Sequence, residues 1–223
     1  MVEVPDVLEL TAPQARVLGS LLEKQATTPD SYPMTLNALT TACNQSSNRD
    51  PVVDYGSQLV ETTLLAMKGK GLARIVHPGA GERSTKYRHI ADEALGLDTA
   101  QRAVVCVLLL RGPQTVAELK TRTERMHRFE SLADIESTLA DLAAHEHTLV
   151  AQVDRQPGQK EPRWIELLQE GAEERAAALP SATISASSRS GRVEELEARV
   201  DTLERRVAQL VEALDDLVEL PPE

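Results

Sequence analysis

The alternation of apolar and polar positions is clearest between residues 57 and 90. Val60, Leu64 and Met67 recur at the spacing of one helix face, and two glycines follow them closely enough to end the helix. Two strand-like runs then follow, separated by a turn that contains Pro and Gly. We expect the helix to begin near Ser57, the strands to span residues 72–76 and 85–90, and the turn to lie at residues 78–81. This pattern predicts a helix followed by a β-hairpin, which is the second half of a winged helix-turn-helix domain.

Two further helices are predicted upstream of this stretch. The first begins after Thr11, which can form a capping box with Gln14, and the second begins near Thr35. The Asn- and Ser-rich segment of residues 42–51 favours a loop between the second helix and the third. Helix, helix, loop, helix and hairpin is the order of a winged helix-turn-helix domain.

The same order of elements returns in the second half of the chain. Three segments of the first half align with three of the second, at offsets that shrink from 87 to 75 residues. They are residues 10–24 with 97–111, 35–44 with 115–124, and 60–67 with 135–142. The second copy has its own predicted helix caps at Asp98, Thr115 and Ser131, and a predicted hairpin over residues 149–153 and 163–168. A repeat of this length indicates that a whole domain was duplicated.

The C-terminal part of the chain has a different composition. Residues 170–191 are rich in Ala, Ser, Glu and Gly, and we expect a flexible linker there, with a short helix at residues 173–179. A heptad pattern follows, formed by Val193, Leu196, Val200, Leu203, Val207, Leu210, Leu214 and Leu217. This pattern favours a parallel homodimeric coiled coil over a lone helix that packs on the body of its own chain. Val211, Ala213 and Val218 widen the apolar face of the last heptads, so a higher oligomer or docking elsewhere is a further alternative.

These patterns predict a mainly α fold with small β-hairpin wings, which belongs to the α+β class. Its parts are tandem winged helix-turn-helix domains plus a C-terminal coiled-coil helix. We place the first winged-helix domain at residues 8–92, the second at residues 93–169, the linker at residues 170–191 and the coiled-coil helix at residues 192–219.

The charge distribution limits where a nucleic acid can bind. The 223-residue chain has a net charge of −11, yet residues 1–90 carry nine basic and nine acidic residues and are neutral overall. An acidic surface repels phosphate backbones, so contact with double-stranded DNA is expected in the N-terminal third. Aromatic residues make up only 2% of the chain, which excludes a stacking platform for single strands.

The third helix and the wing of the first copy supply the candidate DNA contacts. In winged-helix proteins this helix enters the major groove, while the wing touches the backbone or the minor groove. The candidate nucleic-acid-binding residues are Arg49, Gln58, Thr62, Lys68, Lys70, Arg83, Lys86 and Arg88. Glu61 lies in the middle of the same helix and opposes phosphate binding, so an ordinary solvated surface is the alternative.

The corresponding helix of the second copy carries acids that would repel a duplex. They are Asp134, Glu136, Asp141 and Glu146. Arg122, Arg125 and Arg128 precede this helix, and they can either contact phosphates or pair with those acids. We therefore expect the second copy to act mainly as a protein-contact or scaffold module.

The sequence offers little support for catalysis or for a metal site. No Gly-rich phosphate loop follows a strand, and no serine lies in a nucleophile-elbow pattern. The five histidines and two cysteines lack metal-ligand spacing, so we expect no enzyme activity, no metal and no cofactor. Cys43 and Cys106 are expected to be buried thiols in a reducing cytosol. Since we find no export signal and no apolar run of membrane-spanning length, we expect a cytoplasmic protein without a membrane partner.

Two long motifs resemble those of the YceH-like bacterial proteins. The motifs are LEKQATTPDSYPMTLNALTTACNQSSNRDP at residues 22–51 and LLLRGPQTVAELKTRTERMHRF at residues 108–129. The resemblance covers residues 8–168 and leaves out the linker and the heptads. It implies a tandem winged-helix fold, but it implies no activity and no catalytic or binding residue.

Two functions follow from these expectations. The first is a dimeric DNA-binding regulator of transcription, in which the coiled coil places two first copies on paired half-sites. The alternative is an acidic adaptor that contacts a protein partner and does not bind DNA, because a fold alone does not determine function.

Overall fold

The computed structural model describes residues 8–79, 84–153, 155 and 160–177. The predicted linker beyond residue 177 and the predicted coiled-coil residues, from Val193 to Leu217, lie outside this part of the chain. Arg83 and residues 80–81 of the first predicted hairpin turn also lie outside it. The homodimer therefore stays a prediction from the heptad pattern.

Within its described residues, the first copy contains three α-helices and three short strands. Helix α1 spans Ala12–Thr27, α2 spans Leu36–Cys43 and α3 spans Ser57–Gly69, while β1 is Met34–Thr35, β2 is Ala73–Val76 and β3 is Lys86–His89. Thr11 begins α1 in a reciprocal capping box with Gln14, and the Thr35 side chain caps α2. A 3₁₀ turn, Pro29–Ser31, lies between α1 and β1. The three helices therefore begin where the sequence pattern places them.

The three strands form an antiparallel sheet in the order β1-β3-β2. β3 is central, and its Tyr87 lies opposite Met34 of β1 and Ile75 of β2. Tyr87 and Met34 are buried, so the sheet packs one face against the core that the helices form.

The second copy repeats this order after a short connecting helix. That helix, α4, spans Ala91–Leu95. Helix α5 spans Thr99–Arg111, α6 spans Val116–Thr123 and α7 spans Leu132–Ala143, and strands β4 (Val150–Val153) and β5 (Arg163–Glu166) pair in antiparallel fashion. Reciprocal capping boxes begin α5, α6 and α7, with Asp98, Thr115 and Ser131 as the capping residues.

One backbone pairing recurs in both copies. Met34 pairs with Tyr87 between β1 and β3, and an isolated antiparallel bridge joins Gln114 to Trp164. The two bridge residues exchange both backbone hydrogen bonds, at 3.0 and 2.7 Å. Gln114 and Trp164 align with Met34 and Tyr87 in the sequence repeat, so equivalent residues make an equivalent pairing.

Helices α1 and α5, the first long helices of the two copies, pack against each other. They approach closely at Gly19, where an added Cβ would come within 2.8 Å of the Leu110 side chain. The Cys106 thiol donates a hydrogen bond to the Gly19 carbonyl oxygen at 3.3 Å. Gly19 and Cys106 are aligned positions of the repeat, so the two copies meet through equivalent faces, as in an isologous dimer contact.

The start of the described chain also pairs with the second copy. The N–H of Leu10 donates to the carbonyl oxygen of Leu168 at 2.6 Å, and the N–H of Glu170 donates to the carbonyl oxygen of Leu10 at 2.9 Å. These bonds and the α1–α5 contact join apolar residues of both copies in one buried core.

A last short helix, α8, spans Ala172–Ala177 and overlaps the helix expected at residues 173–179. Its Arg175 guanidinium lies 2.8 Å from the buried carboxylate of Glu166. Burial raises the pKa of Glu166, and Arg175 acts in the opposite direction by stabilising the charged carboxylate. This ion pair attaches the start of the predicted linker to β5.

The α+β class is confirmed, and two elements that the sequence pattern did not predict are present. These are strand β1 and helix α4, and the hairpin strands are shorter than predicted. Cys43 and Cys106 are free and buried, as predicted. Within the described ranges, no helix is long and apolar enough to cross a membrane.

A polar cluster around the buried His89 joins β3 to α1. The His89 ring nitrogen Nε2 lies 2.6 Å from the Gln25 side-chain oxygen. The backbone N–H of His89 donates to the Tyr32 hydroxyl oxygen at 2.8 Å. Arg102 of α5 donates to Gln25 at 3.2 Å and to Asp92 at 3.0 Å. Burial lowers the pKa of His89 to about 4, although the nearby Asp92 carboxylate acts in the opposite direction.

We expect Gly19→Ala to lower the free energy of unfolding by about 1–3 kcal/mol, because the new methyl group would overpack against Leu110. The measurement is urea unfolding followed by circular dichroism. Gly69→Ala is the matched control, since Gly69 is also helical but an added Cβ there meets nothing within 4 Å. Its stability should be unchanged, or higher by up to about 1 kcal/mol from helix propensity. Equal effects of the two substitutions would contradict the close α1–α5 contact.

We expect the stability of the protein to fall as the pH drops from 6.5 towards 4. His89 stays neutral in the folded state down to its pKa of about 4, whereas in the unfolded chain it takes up a proton near its ordinary value of 6.5. The unfolded state therefore binds more protons, and this residue contributes at most about 1.4 kcal/mol per pH unit. Urea unfolding across this pH range should give a flatter profile for His89→Gln. An unchanged profile would show that His89 does not carry the effect.

Candidate nucleic-acid interface

Helix α3 presents a polar outer face. Its buried residues, Val60, Thr63, Leu64 and Met67, recur at helical spacing and hold the helix on the core. Gln58, Thr62 and Lys68 are exposed on the remaining surface, as their positions in the pattern predict. Glu61 is exposed beside them, so the charged side chains of this face balance. The face can offer hydrogen bonds and one cation, but it has no excess of positive charge.

The N-terminus of α3 is open. Gly56 is its N-cap, and no side chain of the described residues caps the first-turn N–H groups. The first turn contains no acidic residue. The preceding segment is fixed by Asn44, whose side chain exchanges hydrogen bonds of 2.9 and 2.8 Å with the backbone of Tyr55. A helix start of this kind leaves N–H groups that can donate hydrogen bonds to the oxygen of an anionic group.

The outer side of the hairpin carries the remaining basic residues. Alternation along β3 buries Tyr87 and His89 and leaves Lys86 and Arg88 partly exposed. Arg88 pairs with Glu93 at 2.5 Å, and the exposed Arg74 of β2 lies 3.6 Å from the same glutamate. Glu93 of α4 therefore reduces the positive charge of this surface.

Arg49 lies inside the protein, although we expected it at the DNA interface. It is only 6% exposed, and its guanidinium donates to both carboxylate oxygens of Glu23, at 3.2 and 2.7 Å. Further bonds reach the carbonyl oxygen of Ala42 and the side chain of Gln45. Burial would raise the pKa of Glu23, but the hydrogen bonds and charge of Arg49 outweigh it and hold the pKa below its usual value.

Lys70 follows the end of α3 and is turned towards the protein body. Its ammonium group donates to the carbonyl oxygen of Glu9 and, at 3.1 Å, to the side chain of Gln14. Lys70 thus helps to fix α3 to the start of α1. Of the expected cations, Lys68 on α3 and Lys86 and Arg88 on β3 remain at the surface, while Arg83 lies outside the described residues.

Exposed apolar side chains lie next to the polar face. Leu65 of α3 is 54% exposed and Leu59 is 43% exposed, and Val52 in the preceding loop is 57% exposed. The helical pattern places Leu65 on the outer face of α3, but it does not single out Val52 or Leu59, because single exposed apolar side chains are common on protein surfaces.

The third helix of the second copy differs in charge and in capping. Ser131 and Asp134 close the first turn of α7 in a reciprocal capping box. Glu136 and Asp141 are exposed further along the helix. The upstream Arg122 pairs with Glu118 of its own helix at 3.5 Å rather than with these acids. The surface of α7 is therefore acidic, as the sequence predicts.

The chain is similar to other bacterial proteins over most of its length. A family model described as "Protein of unknown function, DUF480" matches residues 10–159. The UPF0502 protein of Shewanella sp. (strain MR-4) is 43% identical over 219 residues, which cover 95% of this chain and 98% of that protein. The UPF0502 protein of Solibacter usitatus (strain Ellin6076) is 48% identical over 191 residues, which cover 84% and 90% of the two chains. The UPF0502 protein of Opitutus terrae (strain DSM 11246 / JCM 15787 / PB90-1) is 52% identical over 160 residues, which cover 71% and 69%.

We expect Arg49→Met to lower the free energy of unfolding by about 3 kcal/mol, because it leaves the Glu23 carboxylate without its guanidinium partner. Lys68→Met is the control with the same loss of charge at an exposed position, and it should change stability by less than about 0.5 kcal/mol. Urea unfolding of both variants gives the comparison. If Arg49→Met is as stable as Lys68→Met, Arg49 does not form the buried ion pair.

Proposed function

Because the chain belongs to the DUF480 family of uncharacterised bacterial proteins, also named UPF0502, its function must be inferred from its own surface. We propose that it is a tandem winged-helix protein that binds duplex DNA through α3 and the β2–β3 hairpin of the first copy. The family names do not include the YceH-like name, which stays a resemblance of the motifs.

The contrast between α3 and α7 carries this proposal. Both are the third helix of a three-helix arrangement followed by a hairpin. α3 starts without a capping side chain and exposes Gln58, Thr62 and Lys68, whereas α7 starts with Ser131 and Asp134 and exposes further acids. Only the first of these surfaces suits a phosphate backbone.

The proposed contact uses α3 as the helix in the major groove. Gln58 and Thr62 would meet base edges, since amides and hydroxyls can exchange hydrogen bonds with them. Lys68 and the open first-turn N–H groups would meet phosphates, and Arg74 and Lys86 of the hairpin would meet the adjacent backbone. With so few phosphate contacts, binding by one copy is expected to be weak and to depend on salt. The predicted coiled coil would strengthen it by placing two copies on one duplex.

Protein contact is the second candidate, and the exposed apolar residues favour it. Val52, Leu59 and Leu65 lie on or next to the same surface of α3. Exposed apolar side chains with little net charge around them are typical of protein interfaces. In this case α3 would bind a partner chain and the acidic body would keep DNA away.

We expect Lys68→Ala to weaken binding to mixed-sequence duplex DNA and to reduce the salt slope of the association constant by about one. The measurement is fluorescence anisotropy of a labelled duplex at several salt concentrations. Lys160→Ala is the matched control, because Lys160 is exposed in the second copy and its removal changes the net charge equally. An equal loss of duplex affinity in both variants would indicate only an effect of net charge, and no contact by Lys68.

Failure of the wild-type chain to bind any duplex at low salt would overturn the DNA proposal. The adaptor alternative is then tested with Leu65→Ser, chosen because Leu65 is exposed and the substitution leaves the buried face of α3 intact. A partner recovered by the wild-type chain should be lost with Leu65→Ser and retained with Leu132→Ser, which changes an exposed leucine of α7.

A further inference from the structure

A cavity of about 330 Å³ opens between α1, the loop before α3, and the helices α5 and α6. Glu23 lines it from α1, and Asn48 lines it from the loop. Arg111 comes from the last turn of α5, Arg122 from α6, and Arg125 from the segment after α6. Its volume is within the range of pockets that hold small molecules.

The charged groups of this cleft leave positive charge unbalanced. Within the described part of the chain, three arginines and one glutamate line it. Glu23 is already paired, since Arg49 donates to both of its oxygens. Glu23 also stabilises the charged form of Arg111, but one carboxylate shared with Arg49 cannot balance three further arginines.

The three arginines differ in how firmly they are held. The guanidinium of Arg111 donates to the side-chain oxygen of Asn48, and Arg122 is 3.5 Å from Glu118. Arg125 is exposed and has no hydrogen-bond or ion-pair partner among the described residues. Burial lowers the pKa of Arg111, and the nearby charge of Arg122 lowers it further, so the two cations lie close enough to repel each other. An anion between them would relieve this repulsion.

The floor of the cleft is apolar. Val107 and Leu110 of α5 line it together with Met126. Thr27 and Thr121 add hydroxyl groups at the wall. A ligand with a charged group and a small apolar body would match both parts of this lining.

We propose that this cleft binds a small phosphorylated molecule, whose phosphate group is held by Arg111, Arg122 and Arg125. Guanidinium groups bind phosphate in a bidentate manner, and a phosphate dianion carries enough charge to pair with more than one arginine. The cleft is separate from the outer face of α3, so the proposal does not rest on DNA binding by that helix.

The test is isothermal titration calorimetry of the full chain with inorganic phosphate and with phenyl phosphate, at constant ionic strength and without DNA. Both should bind saturably, and phenyl phosphate should bind more tightly because its ring can cover the apolar floor. Arg125→Gln should weaken both by roughly tenfold or more, since it removes a charge-assisted hydrogen bond. Arg128→Gln is the matched control, because Arg128 is an exposed arginine nearby that does not line the cleft.

Arg125 is exposed and makes no bond that the described fold needs, so Arg125→Gln should keep the wild-type circular dichroism spectrum. Heat signals that do not saturate for the wild-type chain would overturn the proposal. So would equal affinities for Arg125→Gln and Arg128→Gln. If duplex DNA displaces phenyl phosphate and Arg125→Gln weakens duplex binding, the cleft takes nucleic-acid phosphate, and the small-molecule proposal is wrong.

Discussion

The close contact between α1 and α5 is the constraint on which the rest of the described structure depends. Gly19 has no side chain, so Leu110 can pack against the backbone of α1 and the Cys106 thiol can reach the Gly19 carbonyl oxygen. This approach lets both helices bury most of their apolar side chains against each other and against their own copies. The repeat uses its first long helix as an interface with itself, and this leaves the third helices and the hairpins to form the outer surfaces.

The repeated order of elements gives the two third helices similar support and different chemistry. α3 has an open first turn and a nearly neutral outer face, whereas the first turn of α7 is closed by Ser131 and Asp134. We therefore assign the proposed DNA contact to the first copy alone. The cleft with Arg111 and Arg125 exists only because the two copies pack together, since Glu23 on its other wall belongs to α1.

Local features of this fold could be predicted from the sequence because they depend on residues that are close in the chain. Capping by Thr11 and Ser131, and the periodicity that exposes Gln58 and Thr62, are of this kind. Features that depend on distant residues could not be predicted. Arg49 lies in a polar loop that suggests solvent exposure, but it is buried because Glu23, 26 residues away, provides a carboxylate at the right place.

Two features of the hairpin also depend on residues that are distant in the chain. Strand β1 has only two residues and exists because the backbone of Tyr87 pairs with Met34, which no local pattern indicates. The ion pair between Glu93 and Arg88 could not be predicted either, because it depends on how the chain turns from β3 into α4. Apolar periodicity thus predicts the helices of the fold. The charge balance of each surface cannot be predicted without knowing how the two copies pack.

Hydrogen–deuterium exchange of the full chain with and without a duplex tests the central claim, that one copy of the repeat contacts DNA and the other does not. The account predicts slower exchange in the first turns of α3 and in the β2–β3 strands when the duplex is added, with no change in α7. Equal protection of α3 and α7, or protection of neither at a duplex concentration that saturates binding, would contradict it.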